Sequence, residues 1–194
     1  MDLEETNNRF NSELQMQIEG TLPQGHIYSL GYPSEILREA GIPDLPIEVA
    51  AIVIAKKSDP RYKNSHPFEL LEIKDLPNAI NNPVMVFDSK TIKGSKVVLT
   101  ELQSKGTYFI VAIETNRKQS EKTNVIEINS IRSIYPKNRL LEIISNWQNS
   151  GLLRYANKKK ASALVSQLQS NSADVATNTD ASTHNIVKNF KNVK

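Results

Sequence analysis

Cysteine is absent from the 194-residue chain. That excludes disulfide scaffolds, iron–sulfur clusters, thiolate zinc sites and cysteine nucleophiles. Histidine is scarce: His26, His66 and His184 stand far apart, so a multi-histidine metal site is not expected and no cofactor is implied. No stretch reaches the roughly 20 apolar residues that a membrane-spanning helix needs. Residues 1–19 lack the basic start and apolar centre of a secretion signal. Aromatic residues make up only 6%, although 39% hydrophobic residues suffice to fill one core. Charge of one sign is not in large excess either. Lys and Arg number 24 against 21 Asp and Glu, and the resulting +3 is too small to announce a nucleic-acid partner by itself.

What is present divides into three parts: a helical extension over 1–26, an α+β domain over 27–168, and a polar tail over 169–194. Phe10, Leu14 and Ile18 recur every four residues, which predicts a helical stripe. Gly20, Pro23 and Gly25 break it. A compact unit begins at Ile27. Ser34 is placed to cap a short helix that Gly41 stops. Residues 47–55 carry both β-branched residues and helical spacing at Ile47, Ala51 and Ile54; the length and the preceding Asp44 and Pro46 favour a helix. Residues 56–63 read as a basic loop. Pro67 is suited to start another helix, with Leu76-Pro77 marking its end.

From Pro83 the period changes. Residues 84–88, 96–102, 108–115 and 124–128 are four strand-like runs separated by polar breaks of hairpin length. They predict an antiparallel meander with the doubly apolar 108–113 run at its centre and the fourth run near an edge. Leu140, Ile143, Ile144 and Trp147 then mark one helix ending at Gly151, and Ala161, Leu164, Val165 and Leu168 another. The tail from Ser170 is too polar to offset its ordering entropy and is expected to be disordered. The fold class is therefore α+β: helices, a four-stranded antiparallel meander, then helices.

Chemistry-bearing motifs are few. Gly94-Ser95-Lys96 lacks the first glycine of a phosphate loop and sits in a hairpin. Lys56, Lys57, Arg61 and Lys63 form one basic group leading to His66. Arg154, Lys158, Lys159 and Lys160 form a second around Tyr155. Cations beside an aromatic ring hold phosphate and stack a base, yet lysine runs are also ordinary solvated surface. A histidine suits acid–base work near neutrality, so His66 is a candidate acid or base, or is simply a turn residue before Pro67. Thr100 and Ser133 are small hydroxyls that bind phosphate or satisfy backbone.

Several strings occur in order: Gly31-Tyr32-Pro33-Ser34 with Leu37 and Gly41, Leu45-Pro46-Ile47, Lys57 then His66-Pro67-Phe68, Leu76-Pro77, Asn82-Pro83-Val84-Met85-Val86-Phe87-Asp88, Val97-Val98-Leu99-Thr100-Glu101, Ser130-Ile131-Arg132-Ser133-Ile134-Tyr135 and Leu152-Leu153-Arg154-Tyr155. This set, spanning about 27–168, resembles the C-terminal domain of MuF-like phage head proteins, found also in the polyvalent proteins of phages and conjugative elements. That family in turn resembles the barnase–EndoU–colicin–RelE group of small ribonucleases. The resemblance implies metal-independent transesterification of RNA by a toxin or effector domain. His66 would act as acid or base, Lys57 and Arg154 would hold the scissile phosphate, and Ser133 or Thr100 would position it. Tyr155 would stack a base, with Lys158 close to the substrate. It also implies a bacterial host cytoplasm or a virion as location, and an immunity protein or phage head and DNA-transfer proteins as partners. The alternative is a non-catalytic module of a phage or mobile element that binds nucleic acid or protein. A third class, such as ADP-ribosyl transfer, would need a dinucleotide pocket for which the sequence carries no mark.

Overall fold

The computed structural model describes residues 2–62, 67–121 and 124–172. In chain order the elements are α1 (Leu3–Ile18), β1 (Ile27–Ser29), α2 (Glu35–Glu39), β2 (Ile47–Ala50), α3 (Ala51–Ser58), a 3-10 turn (Leu70–Ile73), α4 (Leu76–Asn81), β3 (Met85–Asp88), β4 (Lys96–Ser104), β5 (Thr107–Glu121), β6 (Asn124–Pro136), α5 (Leu140–Asn149), β7 (Leu153–Ala156) and α6 (Lys158–Ser172).

The class is α+β, but the sheet is not the four-stranded antiparallel meander expected from the sequence. It has seven strands in the order β1-β2-β6-β5-β4-β3-β7. It is also mixed, because β2 lies parallel to β6 while the other neighbours are antiparallel. The four expected runs are β3 to β6, which pair consecutively. Strands β1 and β2 extend the sheet past β6, and β7 extends it past β3. β5 holds the middle position. The fourth run, 124–128, pairs with β5 alone among the described residues, because β2 meets β6 only at Asn129 and Ser130, so that run lies at an open margin of the sheet.

Two local expectations are corrected for the same reason, that pairing overrides spacing. The 47–55 run is not one helix. Ile47 and Val49 are fully buried and alternate with Glu48, so the first four residues form β2 on β6. The chain becomes helical only at Ala51. Leu76-Pro77 does not end a helix begun at Pro67; it opens α4, where a proline in the first turn forfeits no hydrogen bond. Only the 3-10 turn precedes it, cut off by Asp75 at φ 63°. The last helix continues to Ser172, inside the segment read from composition as tail.

The sheet separates two cores, and period-two alternation assigns each strand residue to one of them. Val86, Val98, Phe109 and Val111 face the N-terminal elements, meeting Phe10, Leu14, Leu37, Ile54 and Ile80. Met85, Phe87, Val97, Leu99 and Ile110 face the opposite way, onto Leu140 and Ile144 of α5 and Leu164 and Val165 of α6. Each such side chain contributes about 1.5–3 kcal/mol when fully buried. The apolar run of β5 is therefore explained by cover on both faces.

Helix ends fix the loops around this sandwich. Ser34 Oγ accepts the Leu37 N–H at 3.4 Å and donates to the Asn81 carbonyl at 2.9 Å, tying α2 to α4. Gly41, at φ 89°, closes α2, with the Ile42 N–H returning to the Leu37 carbonyl. A Cβ at Gly41 would stand 2.8 Å from Lys96 Nζ, so the turn and the lysine share one space.

Asp75 is clamped by α1. Its Oδ1 accepts from Asn7 Nδ2 at 2.6 Å and Asn11 Nδ2 at 2.7 Å, while its N–H donates to Asn11 Oδ1 at 2.9 Å. The Asn11 and Asn7 hydrogen bonds hold this carboxyl below its ordinary pKa. A lowered folded-state pKa means stability present above the unfolded value of about 3.9 and lost as pH falls below it. Denaturant midpoints across the acid range should therefore fall less steeply in Asp75→Asn than in the parent chain. Among the described residues, no helix is long and apolar enough to cross a membrane.

Candidate functional site

Strand β2 pairs with β6 only at Asn129 and Ser130. Among the described residues, the remaining length of β6, to Pro136, has no strand on that side, and α3 packs against β6. This brings Lys57, in the last turn of α3, to Tyr135 of β6. Lys57 Nζ lies 6.0 Å from the Tyr135 ring centroid, and Lys137 Nζ lies 5.6 Å from the same centroid. Two ammonium groups at an aromatic ring are within the range of cation–π attraction. Burial pushes the Tyr135 hydroxyl above its ordinary pKa, so the side chain stays neutral at physiological pH.

Tyr135 also borders a hollow of about 290 Å³ on the α5 side of the sheet. Its floor is apolar, from Val97, Ile110 and Ala112, and Trp147 of α5 stands opposite in the lining. The β3–β4 loop supplies Ser89, Lys90 and Thr91 to the rim. Arg132 borders the hollow too, but its Nε sits 3.4 Å from Glu114 Oε2, so those charges offset each other. The uncompensated sign at the mouth is positive. A wider hollow of about 450 Å³, between α1 and Leu71–Lys74, has no aromatic side chain and one cation.

The residues singled out in the sequence are distributed as follows. His66 lies outside the described residues. Arg154, on β7, is not near Lys57. The registers Tyr135↔Ile110, Ile110↔Leu99, Leu99↔Met85 and Met85↔Ala156 form one row across the sheet. Four strand spacings of about 4.8 Å each therefore put Tyr135 and β7 about 19 Å apart. The Arg154 guanidinium instead bonds Asp88 Oδ2, and Lys96 Nζ bonds Asp88 Oδ1 at 2.6 Å. Burial raises the Asp88 pKa, but hydrogen bonds from Lys96 and Arg154 outweigh it and leave the carboxyl below its ordinary value.

Thr100 is fully buried, its hydroxyl donating to the Phe109 carbonyl at 3.1 Å, which is a satisfied core threonine. Ser133 lies one pleat from Tyr135 on the same face of β6, with its Oγ buried and without a hydrogen-bond partner among the described residues. Tyr155 packs against the N-terminal core, and Lys158 is exposed at the start of α6. Its neighbour Lys160 is engaged by Glu101 and the Asn82 carbonyl. The structure thus brings Lys57 and Ser133 to the Tyr135 region of β6 and leaves Arg154, Tyr155 and Lys158 at the β7 edge.

Sequence reasoning missed Tyr135, Lys137, Lys90 and Trp147 as a group, and missed Asp88 as the partner of Arg154. Tyr135 stood inside a motif string, and the apolar–aromatic alternation at the end of β6 was its only local signal. Among the described residues, no group of three or more His, Asp or Glu could hold a metal ion. Residues 57–163, more than half of the chain, match a family model described as the phage MuF-C-terminal domain. No curated protein and no solved structure matches the chain.

Proposed function

The chain belongs to the phage MuF C-terminal domain family, and from that premise we propose that it is a non-catalytic module that binds single-stranded nucleic acid, RNA first, along the Tyr135 edge. The observation that carries this reading is the pair of ammonium groups, Lys57 Nζ and Lys137 Nζ, within 6.0 Å of one partly buried aromatic ring. Cations that track the backbone, combined with rings on which bases stack, are the shared device of single-strand binders. Family membership alone supports no chemistry, so the reading rests on the site.

Two observations favour binding over the ribonuclease reading. The guanidinium needed for a scissile phosphate is occupied by Asp88. The second cation, Lys57, stands on the far side of β5, β4 and β3 from it. Protein docking has less support: exposed Ile18 and Leu71 line one hollow of about 300 Å³, but exposed Tyr32, Ile52 and Val125 sit on other elements and are not in its lining. The test is incubation of the full chain with a labelled single-stranded RNA in EDTA. Anisotropy should rise with protein and fall with added salt, and the RNA should stay intact on a denaturing gel. Products ending in 2′,3′-cyclic phosphate would reinstate the ribonuclease reading, and unchanged anisotropy would remove the nucleic-acid partner.

A further inference from the structure

We infer that the 290 Å³ hollow beside Tyr135 receives one unstacked nucleotide unit, its base on the apolar floor and its phosphate at Lys90 and Lys137. This rests on the reading of the Tyr135 edge as a nucleic-acid site and deepens it from a track to a pocket. Size sets the first limit. The volume lies at the bottom of the roughly 300–1,000 Å³ range of small-ligand pockets, which suits a single planar heterocycle with its sugar and not a stacked pair.

Chemistry sets the second limit. The side chains of Val97, Ile110 and Ala112 offer no hydrogen bond to a ligand, so they suit the face of a flat ring rather than an extended polar group. Tyr135 and Trp147 add aromatic surface, where stacking contributes about 1–3 kcal/mol per base. Hydroxyls of Ser89 and Thr91 and the cations of Lys90 and Lys137 stand in the lining, so an occupant needs an apolar body with polar edges and an anionic end. A nucleoside monophosphate has all three; a bare anion lacks the body, and an apolar ligand lacks the charge.

The rim is built before any ligand arrives. Ser89 Oγ accepts the N–H groups of Thr91 at 3.3 Å and Ile92 at 3.2 Å. The Ser89 N–H donates to the Ser95 carbonyl at 2.9 Å, and the Ser95 N–H to the Ile92 carbonyl at 3.1 Å. Thr115 Oγ1 donates to the Gly94 carbonyl at 2.6 Å, anchoring the loop to β5. Such prior ordering lowers the entropy cost of binding.

Trp147 is the only tryptophan in the chain; it lines this hollow and also packs on Phe87 at 5.0 Å, so its fluorescence reads the hollow and the core beside it. The full chain is titrated with uridine and adenosine 5′-monophosphates, with the free nucleosides and inorganic phosphate as comparisons. A saturable change with the monophosphates is expected, at least about tenfold tighter than with nucleoside or phosphate. Lys90→Glu should weaken it about tenfold or more, and Ala112→Leu, which fills the floor, should remove it. Should the leucine variant fail to fold, the surface change at Lys90 decides alone. No saturation, or equal response to phosphate alone, overturns the pocket. If RNA still binds in the anisotropy assay, only the pocket has failed; if neither responds, the nucleic-acid reading has failed with it.

Discussion

Replacing Asp88 by alanine should lower the free energy of unfolding by about 2–3 kcal/mol. Removing one partner of a buried ion pair typically costs about 3–5 kcal/mol, because the other charge is left without compensation. Asp88 and Lys96 have side chains 28% and 11% exposed, so solvent relieves part of that cost. Arg154→Ala should cost less, about 1 kcal/mol or under, since its side chain is 43% exposed and surface pairs contribute little. The asymmetry follows from Lys96: after loss of Asp88 it stays confined beside Gly41, whereas Arg154 swings into water. Chemical denaturation of both variants checks the order. RNA affinity in Arg154→Ala should stay within about twofold of the parent. A drop of tenfold or more would return Arg154 to the binding surface.

The second large effect concerns affinity. Lys57→Ala combined with Lys137→Ala should weaken single-stranded RNA binding about 25-fold at 0.1 M salt. Each phosphate neutralised on a single strand adds about 0.7 to the slope of log affinity against log salt. Two lost contacts lower that slope by about 1.4, and over the decade from 1 M to 0.1 M this becomes about 25-fold. Stability should fall by no more than about 1–2 kcal/mol, the two cation–π contacts with Tyr135, because neither lysine makes an ion pair with a carboxylate among the described residues. A uniform loss across sequences marks the contacts as backbone contacts rather than base readout.

How much of this could be read in advance depended on the length scale of each signal. The run from Tyr108 to Ile113 announces a central strand because cover on both faces leaves no polar alternation to mistake. Strand β2 was hidden because Ile47 to Ala55 satisfies two periods at once, and only pairing with Asn129 and Ser130, some eighty residues away, breaks the tie. Strands β1 and β7 have three and four residues, too short for periodicity to speak. Together with β2 they turn a four-stranded expectation into a seven-stranded sheet.

The candidate site was less legible than the fold. Lys57 stood out as part of a basic group, but its neighbour Tyr135 comes from the far end of β6, and no local pattern links them. Arg154 stood out for the same reason, and the sequence does not reveal that Asp88 occupies it. An acid closing the short strand β3 becomes meaningful only once β7 and β4 lie on either side. Charge type is local information; charge partnership is topological.

The most direct measurement is ultraviolet cross-linking of the full chain to a single-stranded RNA carrying photoreactive uridines, followed by peptide mapping. Cross-links on the peptides that carry Tyr135 and Trp147 are expected. Cross-links confined to the Arg154–Lys160 edge, about four strands away, would contradict the assignment.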